Sequence, residues 1–161
     1  MRIEAVVVNA SPLISLFRSG QADLLPRLFN RIVIPEAVWK EVAVDERDDA
    51  AACELGVQTW PIRETVVNSL RVEAWNLGAG ETAVLSYALA HPRLRAILND
   101  ADARRCARTL GVPILGTCGV LLLAKRRGLL PSLVPGLEKL RNAGLWLSDD
   151  LIKLLKTQAE E

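Results

Sequence analysis

Histidine is nearly missing from this chain, with His91 alone in 161 residues. A histidine-rich zinc site is thereby excluded. His91 precedes Pro92 at an expected helix end, where it suits the negative end of the helix dipole better than a role as catalytic base. Cysteine is scarce as well. Cys53, Cys106 and Cys118 show no C-x-x-C spacing, and their odd number and apolar neighbours fit reduced thiols in a cytoplasmic setting. Neither sign of charge dominates: 20 Lys and Arg face 19 Asp and Glu, for a net charge of +1. Any contact with nucleic acid must therefore use local patches. The longest apolar stretch, near Val120 to Ala124, is far short of a membrane span. The run after Met1-Arg2-Ile3-Glu4 has no signal-peptide pattern. Gly111 to Gly119 is not a P-loop, because no Lys-Ser/Thr follows, and no dinucleotide fingerprint occurs. Repeats, low-complexity segments and linkers are also lacking.

What is present reads as one globular domain over residues 1–161. Half of the residues are hydrophobic and 24% are charged. Strands are expected at Ala5 to Val8, Arg31 to Ile34, Val57 to Ile62, Leu94 to Leu98 and Val112 to Leu115. Pro61 keeps the third of these at a sheet edge. After the first strand a helix is expected, with Ser11 as N-cap and Pro12 at its first position. Others follow at Asp23 to Phe29, from Pro35, at Ala50 to Leu55, Glu64 to Asn76 and Glu81 to Ala90. Gly78-Ala79-Gly80 breaks the last two apart. Further helices are expected at Ala101 to Leu110, Val120 to Arg127, Pro135 to Asn142 and Asp149 to Gln158. Asp45 to Asp49 reads as a solvated loop. This alternation implies a parallel sheet covered on both faces. The last helix, 149–158, packs on the core or on a partner.

Two apolar runs end on oxygen-bearing side chains. Ala5-Val6-Val7-Val8 stops at Asn9, and Ala96-Ile97-Leu98 stops at Asn99-Asp100, with Asp102 beyond. Sites in open α/β sheets form past the carboxyl ends of the strands. Asn9, Glu41, Glu81, Asp100 and Asp102 can converge there on a hard cation such as Mg²⁺ or Mn²⁺. Each has a plainer role. Asn9 can hold a turn, Glu41 can lie on the surface, and Asp100 can cap a helix. Glu81 and Asp102 can offset a helix dipole. Arg104 and Arg108 share a helix face and suit phosphate contacts, whereas Lys125-Arg126-Arg127 suits a helix C-terminus. Ser11 and Thr117 can position a water or a phosphate, or can cap helices. Trp39, Trp60, Trp75 and Trp146 are scattered and form no stacking platform for bases.

The ordered set resembles the PIN-domain family, in its short prokaryotic form. Val6 to Leu16 is similar to the family's opening strand and helix, with Asn9 where Asp is usual. Ile34-Pro35 with Glu41-Val42 resembles the second motif. Leu77-Gly78-Ala79-Gly80-Glu81 resembles the third, and Ile97 to Asp100 with Ala103-Arg104 the fourth. Gly111 to Thr117, then Leu121 to Gly128, matches the subgroup's Gly-Thr turn and helix end. The resemblance covers roughly residues 5 to 131.

It implies a three-layer α/β/α sandwich around a mostly parallel sheet of 4–5 strands. It also implies a Mg²⁺- or Mn²⁺-dependent endoribonuclease acting on single-stranded or structured RNA. Asn9, Glu41, Glu81 and Asp100 would be its catalytic residues and, with Asp102, its metal site. Ser11, Arg104, Arg108 and Thr117 would contact substrate. Such proteins are often homodimeric toxins with an antitoxin partner, away from any membrane. Asn9, and Asn99 where a second Asp is frequent, remove charge from the site. That leaves a second expectation, a catalytically impaired PIN-fold protein that binds RNA or a protein partner. An unrelated small-ligand α/β domain ranks below both for want of a dinucleotide fingerprint.

Overall fold

The apolar runs pair into a single sheet. In the computed structural model, which describes residues 4–44 and 50–161, five strands lie in the order β3-β2-β1-β4-β5. They are β1 (Ala5–Val8), β2 (Arg31–Pro35), β3 (Pro61–Glu64), β4 (Arg95–Ile97) and β5 (Ile114–Leu115). Every neighbouring pair is parallel. Val6, Val7 and Val8 are apolar on both faces and fully buried, which suits the central position of β1. The chain builds outward from β1 to β3, then returns to place β4 on the other side of β1. The reversal leaves a crevice between the carboxyl ends of β1 and β4.

Helices cover both faces of the sheet. Those before the middle of the chain are α1 (Ala10–Arg18), α2 (Leu24–Leu28), α3 (Glu36–Val44), α4 (Ala50–Glu54) and α5 (Leu70–Glu73). The rest are α6 (Ala79–Ala90), α7 (Ala101–Leu110), α8 (Thr117–Arg126), α9 (Val134–Asn142) and α10 (Asp149–Gln158). Helix α6 crosses β1, β2 and β4 and is buried on nearly every side, from Thr82 to Ala88. Asp100 caps α7, accepting a hydrogen bond from Ala103 N–H at 2.9 Å. Gly111 ends that helix at φ 75°. Ser148 caps α10, which packs on α9 through Ile152 and Leu155.

Several boundaries differ from expectation. The segment 65–69 is not helical, and only the single turn α5 forms between β3 and α6. Thr65, Val66 and Val67 are β-branched and disfavour helix, and the Ser69 N–H is taken by Ser86 Oγ at 2.9 Å. The third strand begins at Pro61, not Val57, because Leu55–Val57 closes a 3₁₀ turn. Pro61 stands first in this edge strand, where a missing N–H is tolerated. Helix α1 is capped at Asn9, so Ser11 is not its N-cap and Pro12 falls later in the first turn. Amides there lack intrahelical acceptors anyway. Helix α6 starts at Ala79, inside the expected break, and α8 starts at Thr117. Gly119 therefore lies within α8, where a Cβ would sit 2.8 Å from Leu115 Cδ1. The expected loop 45–49 lies outside the described residues.

Candidate metal centre at the switch point

The oxygens nearest the crevice come from three elements. Asn9 follows β1 and is 2% exposed, with its Oδ1 buried and without a hydrogen-bond partner. Glu41 reaches across from α3, and its Oε1 accepts the Gly80 N–H at 2.9 Å. Both oxygens lie within 3.0 Å of the point where a Cβ on Gly80 would stand. Partial burial raises the Glu41 carboxyl above its ordinary 4.5, the Gly80 N–H draws it back, and the negative charge of Glu81 raises it again. Glu81, in the first turn of α6, folds back so that its Oε2 lies 2.5 Å from where a Gly78 Cβ would be.

The structure thus brings Asn9 and Glu41 together, with Glu81 near enough to feel Glu41. Asp100 is exposed and spends one carboxylate oxygen on the α7 cap. Asp102 faces solvent in a 3.6 Å ion pair with Arg105. Among the described residues, no group of three or more His, Cys, Asp or Glu is placed to hold a metal ion. The donors are nevertheless all hard oxygens. Mg²⁺ is commonly held by one or two carboxylates, several waters and a substrate phosphate. An orphaned buried amide oxygen beside a carboxylate fits such a partly hydrated ion.

Asn99 plays a different part. Its Oδ1 accepts from Thr117 N–H at 3.1 Å and Thr117 Oγ1 at 2.9 Å. Its Nδ2 donates to Ser11 Oγ at 3.2 Å. The side chain ties together the segments following β1, β4 and β5. Arg104 is half-buried, with an unpartnered buried Nε and a guanidinium nitrogen 3.2 Å from where a Gly116 Cβ would lie. Arg108 is exposed on α7. Arg127 does not face the site, for it bonds Glu4 and the Leu28 carbonyl. Next to Glu41 a cleft of about 680 Å³ opens between α3, the 65–69 segment and α6. Its walls include Ala37, Lys40, Val66 and Ala79.

Sequence reasoning misses two of these features. Gly80 reads as a helix break, although it lies in α6 directly beneath the Asn9 and Glu41 oxygens. Asn99 reads as a lost acid, although it is a clip whose partners are set only by the fold. The glycine spacing Gly78-Ala79-Gly80 before an acid is the one signal that could have drawn attention to Gly80.

The five-stranded parallel sheet flanked by helices is an α/β sandwich, with the Asn9 and Glu41 oxygens beside its topological switch point. A family model described as PIN domain matches residues 5–161, and the chain belongs to that family. The resemblance read from the motifs is thereby borne out, as is the sandwich fold. PIN domains generally depend on divalent metals and have a fold suited to nucleic acid. No curated relative matches the chain. No helix among the described residues is long and apolar enough to cross a membrane.

Proposed function

We propose that this chain is a Mg²⁺- or Mn²⁺-dependent endoribonuclease, and that residues 1–161 act as one domain. The observation that carries this is the meeting of the unpartnered Asn9 Oδ1 with Glu41 Oε1 over Gly80. Asn9 and Glu41 hold the cation, and Glu81 adds negative charge beside it. Asp100, one of whose oxygens caps α7, lends its other carboxylate oxygen at the same edge, whereas Asp102, turned to solvent beside Arg105, adds only distant charge. When bound, the ion supplies an activated water and neutralises charge on the scissile phosphate. Asn9 contributes a neutral oxygen and is no general base. Arg104, held against the start of α8, and Arg108 steady the RNA phosphates. The Ser11 hydroxyl, whose oxygen already accepts from Asn99, keeps its proton for a phosphate oxygen. Thr117 shapes that wall of the site through its bonds to Asn99.

A toxin role with an antitoxin partner, homodimerisation and a cytoplasmic setting complete the reading. Support for a protein partner comes from exposed apolar side chains, Val67 at 91% and Trp146 at 82%. The second reading, an impaired PIN-fold protein that binds RNA or a protein, is favoured by the neutral Asn9. Cleavage of single-stranded RNA under Mg²⁺ and Mn²⁺ titration separates them. The wild type should cleave, and Asp100→Asn, which preserves a helix cap, should lower the rate about tenfold or more. Equal rates for both would sink the assigned mechanism. An inactive wild type that still binds RNA would establish the second reading.

A further inference from the structure

Gly80 stands at a helical position where glycine has no conformational reason to be. It is the second residue of α6, and its φ is not in the left-handed region. Glycine in a helix is less favourable than alanine. Its neighbourhood supplies the reason. A Cβ at Gly80 would lie 2.6 Å from Glu41 Oε1, 3.1 Å from Glu41 Cδ and 3.0 Å from Asn9 Oδ1. All are shorter than ordinary van der Waals separations. The Gly80 N–H meanwhile fixes the same Glu41 oxygen at 2.9 Å.

We propose that Gly80 is a positioning residue for the cation site. Its bare Cα lets the neutral Asn9 oxygen and the charged Glu41 oxygen approach one point, while its amide anchors Glu41 there. This rests on the cation-dependent reading above. A second observation, independent of the helix end and of the acidic cluster, also points to a ligand. Asn9 is 2% exposed, and its Oδ1 is buried without a partner and aimed at the same place. Buried polar oxygens are nearly always satisfied, and a cation held between these two oxygens satisfies this one. Because Asn9 brings no charge, the spacing of the two oxygens matters more here than in a site rich in carboxylates. Methylation at Cα80 drives Glu41 outward and separates the pair.

The effect on folding should be small beside the effect on binding. Gly80→Ala gains helix propensity but displaces Glu41 from the Gly80 N–H, so the melting temperature of the metal-free protein should stay within about 2 °C of wild type. The same variant should lose roughly 10- to 100-fold in Mn²⁺ affinity. Mn²⁺ alone is the probe, followed by the loss of its free-ion electron paramagnetic resonance signal and by the metal-induced thermal shift. Glu41→Asp in the Gly80→Ala background withdraws the carboxylate by one methylene and should restore part of the affinity. Such rescue would not arise from a purely structural defect. Unchanged Mn²⁺ affinity in a folded Gly80→Ala overturns the role of Gly80 and leaves the cation reading intact. Lost binding that Glu41→Asp fails to restore overturns it too, as does a collapsed fold in Gly80→Ala with no rescue in the double variant. A wild type that binds no Mn²⁺ overturns the cation reading itself, and this inference with it.

Discussion

Asn9 and Asn99 follow neighbouring parallel strands, yet they live in opposite circumstances. Asn99 uses its amide fully, accepting two hydrogen bonds from Thr117 and donating one to Ser11. Asn9 is more deeply buried and leaves its Oδ1 without a partner. A satisfied amide at a strand end holds structure. An orphaned one costs free energy in the apo fold, and that cost is repaid only by something the chain does not itself contain. From sequence both residues look like the same event, a carboxylate exchanged for an amide. The structure separates them by what surrounds each oxygen.

The largest expected effect comes from removing the satisfied member. Asn99→Ala deletes three hydrogen bonds and strands the Thr117 amide, so urea denaturation should show a loss of about 3 kcal/mol. The same variant should loosen the start of α8. Burial pushes the neighbouring Cys118 thiol up to about 11, with Arg104 drawing it back. Alkylation of Cys118 should accordingly be slow in the wild type and faster in Asn99→Ala. A variant as stable as wild type would erase the contrast between the two asparagines.

Giving both residues a carboxylate sharpens the contrast at smaller amplitude. Asn9→Asp adds charge where two oxygens already meet, and calorimetric Mn²⁺ affinity should rise about tenfold. Asn99→Asp should leave it within about twofold, since the oxygens there are engaged elsewhere. Equal gains at the two positions would show that both face the ion.

The smallest effect is a pH slope. Glu41 has its carboxyl raised in the folded protein, chiefly by partial burial. The folded chain therefore keeps a proton that the unfolded chain releases just above the ordinary 4.5. The metal-free protein should lose stability as pH rises through that window and regain it as pH falls below. Glu41→Gln should flatten this component in denaturation series carried upward from the ordinary 4.5. Parallel curves for wild type and variant would show that Glu41 contributes none of it.

Much of this arrangement is legible in the chain itself. The first strand with its end at Val8, the fourth strand to within a residue, the cap at Asp100 and the whole of α10 follow from apolar runs and capping residues. These are local signals, decided within a few residues. Segment 65–69 is not legible in that way. Its Glu64-to-Asn76 surroundings carry enough helix formers to suggest a long helix, but the β-branched run and a distant serine, Ser86, decide otherwise. The candidate site divides along the same line. The acids announce themselves by residue type, whereas the approach of Glu41 to Asn9 over Gly80 depends on where α3 and α6 pack on the sheet. The helical start at Ala79 shows how little separates a break from the first turn of a helix.

Helix α6 is enclosed by sheet and helices along most of its length. Its middle amides should be among the slowest to exchange with solvent. The glycine beneath the Asn9 and Glu41 oxygens thus opens a helix whose later turns are held from several sides. Amide exchange along α6 should therefore slow from its first turn at Ala79 toward its enclosed middle, which sets the oxygens above Gly80 where a protected helix meets solvent.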